Sequence, residues 1–216
     1  KGYESKVLRI FDEIPSQLSK HEKKFSLNSL SKEARFREYE DAFVWLSEAM
    51  IVNSCFNASD PQVGLPLHKD SLSMKLYMAD TGLLLSHAFD EVSGMNQKVA
   101  QHIVEDRLEF NYGMIFENIV AQMLRAQNKS LYFYSRSDRE ESRNTMEIDF
   151  LIHDRLRPGR ISPVEVKSSK RYTTRSLEKF SSKFAGKLGQ QYLLHTKDLV
   201  VQGEILYLPV YMALSL

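Results

Sequence analysis

Cysteine is almost absent: Cys55 is the only one in 216 residues. A lone thiol excludes an internal disulfide framework and is too isolated for a zinc site. It fits a reducing cytoplasm, where Cys55 is a small apolar residue. Charge of one sign is lacking too. The chain has 29 Lys and Arg against 28 Asp and Glu, a net charge of +1. No global field therefore drives it to nucleic acid or anionic lipid, and any such affinity must come from a local patch. No run approaches the ~18 apolar residues of a membrane span, and no signal peptide is visible, so no membrane partner is expected. The phosphate-cradling pattern G-x-x-x-x-G-K-[ST] is missing, so ATP binding cannot be assigned to these residues. What is present, 43% hydrophobic and 26% charged residues, is ordinary globular composition, enough for one large or two small domains.

The chain opens on KGYESKVLRIF, without Met and already in a helical pattern. It is expected to be a fragment of something longer. Tyr3, Val7, Leu8, Ile10, Phe11 and Ile14 fall at helical spacing, and Pro15-Ser16 is expected to end that helix or start another. Leu18 to Phe25 reads as a basic, solvated turn or short helix. Ser31 is a natural N-cap for a helix to about Met50, with Phe36, Tyr39, Ala42, Phe43, Leu46 and Met50 as its buried stripe. Trp45 lies beside that stripe as a packing residue. Strands are expected at Ile51–Phe56 and Met74–Met78, joined by a long loop. Helices followed by such a two-stranded ribbon form a winged-helix pattern. Lys69 and Lys75 are the only basic residues between Ile51 and Ala79, so no strongly basic DNA-reading wing is evident. Asp80 or Thr81 caps the next short helix, and Asn96 to Val104 reads as another.

The order from Gly113 is helix, three strands, helix, strand, with one or more strands after it. That order implies an α/β mixed sheet flanked by helices. The helix Gly113–Gln127 carries Glu117 at the edge of its apolar face, as a salt-bridge former or as an acid aimed into a cleft. The central stretch, Glu147 to Ser169, reads as a β-hairpin. Period-2 alternation puts Met146, Ile148, Phe150 and Ile152 on one face of its first arm, and Glu147, Asp149 and Leu151 on the other. On the second arm Glu165 and Lys167 share a face. Pairing the arms places Asp149, Glu165 and Lys167 on one surface. Two carboxylates that close repel unless a cation joins them, and a hard divalent ion such as Mg²⁺ or Mn²⁺ prefers carboxylate oxygen. Lys167 could then steady a nucleophilic water or a developing phosphate charge. The competing reading is an ordinary polar hairpin with small cross-strand charge pairing. Between Arg155 and Arg175 the basic residues are Arg155, Arg157, Arg160, Lys167, Lys170, Arg171 and Arg175, against one acid, Glu165. Such clusters bind phosphate backbones, so Arg160, Lys170, Arg171 and Arg175 are the candidate nucleic-acid patch.

An acid on the first helix, an Asp on the second strand and Glu-x-Lys on the third resembles the PD-(D/E)xK nuclease superfamily, the restriction-endonuclease-like fold. Glu117, Asp149, Glu165 and Lys167 stand at those positions. Ile148 replaces the proline of the family's name. A Gln after the third strand assists in some members, and Gln190 or Gln191 is the candidate for it. The runs IPSQLSKHEKKF, FVWLSEAMIV, KLYMADTGLL, GMIFENIVAQML, EIDFLI and PVEVKSS cover nearly the whole chain. Together they resemble the C-terminal portion of bacterial and archaeal AAA+-type ATPases of the DUF4143 group. The resemblance implies a winged-helix-like module over 1–95, a nuclease-like domain over 96–216 and a P-loop ATPase domain preceding both. It further implies a Mg²⁺- or Mn²⁺-dependent DNA endonuclease with Asp149, Glu165 and Glu117 as metal ligands and Lys167 at the attacking water. The alternative is a non-catalytic module that docks nucleic acid or protein onto the ATPase.

Overall fold

The computed structural model describes residues 2–20, 22–89, 112–136, 145–169 and 171–216. These divide into two compact units, one of residues 1–53 and 75–122 and the other of 54–74 and 123–216. The boundary expected at 95/96 and the helix expected at Asn96–Val104 fall within 90–111, outside the described residues. Among the described residues no helix is long and apolar enough to cross a membrane.

The first unit holds α1 (Tyr3–Ser19), α2 (Phe36–Glu48), α3 (Thr81–Ala88) and most of α4 (Tyr112–Ala126). Helix α1 runs straight through Pro15 rather than ending there. Ile10, Ile14 and Leu18 continue one apolar face across the proline, and all three are fully buried. Burial of that face outweighs the hydrogen bond the proline removes. The stretch expected to be solvated is also pinned down. Leu18 and Phe25 are buried, and the Phe25 ring meets Phe43 edge-on at 5.4 Å.

Helix α2 begins at Phe36, five residues after the expected cap. The Ser31 hydroxyl and carbonyl are used in a local turn, accepting from the amides of Glu33 (3.4 Å) and Ala34 (3.1 Å). The other end is set by Met50, at φ 55°. The Ile51 amide reaches back to the Leu46 carbonyl at 3.1 Å, the closure of a left-handed C-cap. Met50 therefore leaves the expected stripe and is 80% exposed, while Tyr39, Ala42, Phe43 and Leu46 keep it. Trp45 is also on the surface. The Asp80 cap is as expected: its carboxylate accepts from the Leu83 amide at 2.8 Å.

The sheet has eight strands: β1 (Val52–Ala58), β2 (Lys69–Met78), β3 (Leu131–Arg136), β4 (Met146–His153), β5 (Ile161–Val166), β6 (Gln191–His195), β7 (Val200–Gln202) and β8 (Ile205–Pro209). Their spatial order is β2-β1-β3-β4-β5-β6-β8-β7. Pairing is parallel for β1/β3, β5/β6 and β6/β8, and antiparallel for β3/β4, β4/β5 and β7/β8. This is the mixed α/β sheet the element order implies. The ribbon strand β2 is one edge of it, with β1 next to it.

Helix α5 (Arg175–Phe184), with Thr174 at its N-cap position, packs on β4 through Leu177 and Phe180. Its cluster includes Tyr132, Tyr134, Ile148, Leu151 and Leu188. Ile148 and Leu151 were expected on opposite faces of the strand. They join one cluster because the β3/β4 register slips. Tyr132 pairs with Leu151 but Tyr134 pairs with Ile148. Two residues of β4, Asp149 and Phe150, therefore stand against the single Phe133 of β3, the count of a β-bulge.

Candidate functional site

The bulge re-aims Asp149, and the hairpin brings β5 alongside. The β4/β5 register, Phe150 to Val164 and onward, places Asp149 next in line with Glu165. The Asp149 Oδ2 accepts the backbone N–H of Val166 at 2.8 Å. Its carboxylate thus lies against the residue between Glu165 and Lys167. The Lys167 ammonium donates to Glu165 Oε1 at 2.6 Å. Asp149 is 9% exposed and Glu165 4%, so this is not the solvated polar hairpin of the competing reading. The Lys167 side chain keeps 25% exposure, and its backbone N–H donates to the Leu194 carbonyl at 2.8 Å, extending the β5/β6 ladder. The structure thus gathers Asp149, Glu165 and Lys167 at one place in the second unit.

Buried carboxylates are stabilised by a cation or by hydrogen-bond donors, and Asp149 and Glu165 are both buried here. Their oxygens are the donor type that Mg²⁺ or Mn²⁺ takes, with water and substrate phosphate completing such shells. Among the described residues no group of three or more His, Cys, Asp or Glu side chains is arranged to hold a metal ion. The buried carboxylate oxygens that the structure sets near each other on β4 and β5 are those of Asp149 and Glu165.

Glu117 sits in the first unit, on α4, and is 4% exposed. Its carboxylate is ion-paired with Lys23, lies 3.9 Å from the fully buried Lys75 ammonium, and accepts the Tyr77 hydroxyl at 3.2 Å. Of the two roles open to it, the salt bridge is the one seen within that unit. The next residue, Asn118, donates to the Met78 carbonyl (3.1 Å) and the Thr81 hydroxyl (3.0 Å), fixing α4 to the end of β2.

Of the candidate basic patch, Arg160 stands apart from Arg171 and Arg175 along β5. Lys170 lies outside the described residues. Arg171 and Arg175 are exposed just beyond the β5 end that carries Lys167. Arg160 is at the other end of β5, some five residues and roughly 16 Å from Glu165. Its guanidinium donates to the carbonyls of Leu188 (2.9 Å) and Gly186 (3.4 Å), closing the chain after α5. Gln190 donates to the carbonyls of Gln191 and Glu204, and Gln191 to the Glu204 carboxylate at 3.3 Å.

Two further arrangements carry little trace in the sequence pattern. Tyr172 and His195 are 2.8 Å apart, hydroxyl to Nδ1. Nε2 faces the Asp198 carbonyl, a pure acceptor, at 3.1 Å. In the neutral ring Nε2 then carries the proton, and Nδ1 accepts from Tyr172. Burial pushes the Tyr172 phenol up, and nearby Tyr207 adds to it. The pair ties the segment after Lys167 to the end of β6.

The second is Asp154. Its Oδ1 accepts the amides of Leu156 (2.7 Å) and Arg157 (2.8 Å), and its Oδ2 accepts the Ser162 hydroxyl (3.1 Å) and the Gln190 amide (2.6 Å). An Asp opening the DRLRPGR turn is a legible Asx-turn signal for the first two bonds only. Burial pushes this carboxyl up, but the amides of Gln190, Arg157 and Leu156 and the Ser162 hydroxyl outweigh it and leave it below its ordinary 3.8. A folded value below the unfolded one stabilises the protein above the unfolded value. The contribution is complete above 3.8 and is lost as pH falls from there through the lowered folded value. Unfolding free energy measured against pH should rise across that interval in the wild type. In Asp154→Asn that part of the rise should vanish, and an unchanged slope would contradict the assignment.

With this geometry in hand, comparison with known proteins gives two family matches. Residues 3–96 match DUF8612, a domain of unknown function. No curated protein and no solved structure matches the chain. Residues 112–212, the stretch carrying Glu117, Asp149, Glu165 and Lys167, match DUF4143, a domain of unknown function.

Proposed function

We propose that the chain is a metal-dependent phosphodiesterase acting on DNA, with β3 to β6 belonging to a restriction-endonuclease-like domain. The observation that supports it is the meeting of two buried carboxylates and an ammonium at the β4 bulge. Asp149 and Glu165 would hold Mg²⁺ or Mn²⁺, which when bound supplies a Lewis acid for the scissile phosphate and a more acidic water. The Val166 amide fixes one Asp149 oxygen and so orients the carboxylate. Lys167, held by Glu165, presents a positive charge where an attacking water or the developing phosphate charge needs one. Exposed Arg171 and Arg175 follow directly and would take flanking backbone phosphates. In this reading the helices before β1 and the β1/β2 ribbon form a winged-helix-like element, and the whole is the C-terminal portion of an AAA+-type ATPase.

A second reading, a non-catalytic docking module, is favoured by the ion pairing itself. Lys167 already neutralises one Glu165 oxygen, and Lys23 and Lys75 flank Glu117. The two readings separate in one assay. Full-length protein with Mn²⁺ is incubated with single- and double-stranded DNA, beside Asp149→Asn, Glu165→Gln and Lys167→Ala. Metal-dependent cleavage lowered about 10²–10³-fold or more in each variant supports the enzyme. No cleavage of either substrate, or cleavage unaltered in the variants, leaves docking.

A further inference from the structure

The carboxyl ends of the parallel neighbours β1 and β3 open into a pocket of about 500 Å³, walled on one side by the end of α5. Its lining shares no residue with the Asp149–Glu165–Lys167 group. Asn57 ties the two strand ends together: its Oδ1 accepts the Ser135 amide at 2.9 Å and its Nδ2 donates to the Ser135 carbonyl at 3.4 Å. Crevices outside the carboxyl ends of strands are where open α/β sheets take ligands.

Among the described lining residues, Arg136, Lys183 and Lys187 stand with a single acid, Asp60. Lys187 is committed to it, with its ammonium 2.8 and 2.9 Å from the two carboxylate oxygens. Lys183 is not neutralised in this way. Its ammonium donates to the Tyr134 hydroxyl at 3.2 Å and lies 5.8 and 5.1 Å from the Tyr134 and Phe184 ring centres. Among the described residues neither Lys183 nor Arg136 meets a carboxylate. Two cations that meet no carboxylate among the described residues, beside a hydroxyl and two rings in a concavity large enough for a mononucleotide, suit an anion.

We propose that this pocket is a phosphate-binding site, in which Arg136 and Lys183 bind the phosphate oxygens and Lys187–Asp60 holds the wall. The phosphate could be carried by a free phosphorylated molecule or by a nucleic-acid strand. Both sources present the same oxygens to the same cations.

The test uses the full chain, with pyrophosphate, adenosine monophosphate and adenosine titrated by calorimetry, and a labelled single-stranded 12-mer followed by anisotropy. Pyrophosphate and the monophosphate should bind saturably and adenosine should not. The double variant Arg136→Gln/Lys183→Gln should weaken pyrophosphate binding at least about tenfold, the scale of losing charge-assisted bonds to an anion. Both residues are at the surface, so Tm should stay within a degree or two of wild type, checked alongside. Asp149→Asn should bind pyrophosphate normally, which keeps this site's failure distinct from failure of the cleavage reading. Displacement of the 12-mer by pyrophosphate identifies backbone phosphate as a source. Binding of the monophosphate with no effect on the 12-mer identifies a free ligand. No saturable binding of pyrophosphate at millimolar concentration, or equal binding in the double variant, overturns the proposal.

Discussion

Gly189→Ala is expected to destabilise the protein by about 3–5 kcal/mol, the sum of overpacking and of strained bonds to a charged group. A Cβ at this position would lie 1.8 Å from Asp154 Oδ2, 2.5 Å from its Cγ and 2.6 Å from its Cβ. Neither partner can yield cheaply. The Asp154 carboxylate is fixed by four donors, including the amide of the next residue, Gln190. The Gly189 amide itself donates to the Ile161 carbonyl at 2.9 Å, so the glycine cannot back away without breaking the link between β5 and the chain after α5. Gly186 is the control, because an added Cβ there meets nothing within 4 Å and alanine should be tolerated. Urea unfolding of both variants checks the difference. A cycle with Asp154→Ala adds a sharper test. With the carboxylate gone, Gly189→Ala should cost much less than it does alone. Strict additivity would mean the clash is relieved in some other way.

The second large effect concerns Glu117. Removing its carboxylate as Glu117→Ala leaves Lys75 fully buried and Lys23 largely so, with the acid they share gone. Breaking a buried ion pair by deleting one partner costs about 3–5 kcal/mol. For a chain of this size that corresponds to a fall in Tm of roughly 6–20 °C. Glu117→Gln should cost less, because an amide oxygen can still accept from Tyr77 and one ammonium. Thermal and urea unfolding of both variants, without added metal, decides the matter. Wild-type stability in Glu117→Ala would show that the acid does not hold this cluster together.

These two sites also show what can be read from a sequence. The hairpin, its Asp and its Glu-x-Lys are legible because local alternation and turn chemistry set them. The Asp80 cap is legible for the same reason: a short acid directly before an apolar run has one obvious use. The bulge at Asp149 is not. It follows from the pairing of β4 with β3, and without it Leu151 falls on the wrong face. Pro15 misleads because its local cost is outweighed by the burial of Ile14 and Leu18 on either side. Met50 misleads because an apolar residue at helical spacing looks like core until the chain turns left-handed there. Lys23, in a run of charges, reads as solvated, and its partner lies 94 residues away. Gly189 has no signature at all, since the atom it avoids belongs to a residue 35 positions earlier, a separation plain from the numbering.

The central claim is that Asp149 and Glu165 together hold one divalent cation. Crystals of the protein soaked in Mn²⁺ and measured at its absorption edge test it directly. The account predicts an anomalous peak within about 2.1–2.3 Å of an oxygen from each carboxylate, absent from Asp149→Asn crystals treated alike. A saturating soak that leaves this position bare, or a peak that survives in the Asp149→Asn crystals, would contradict it.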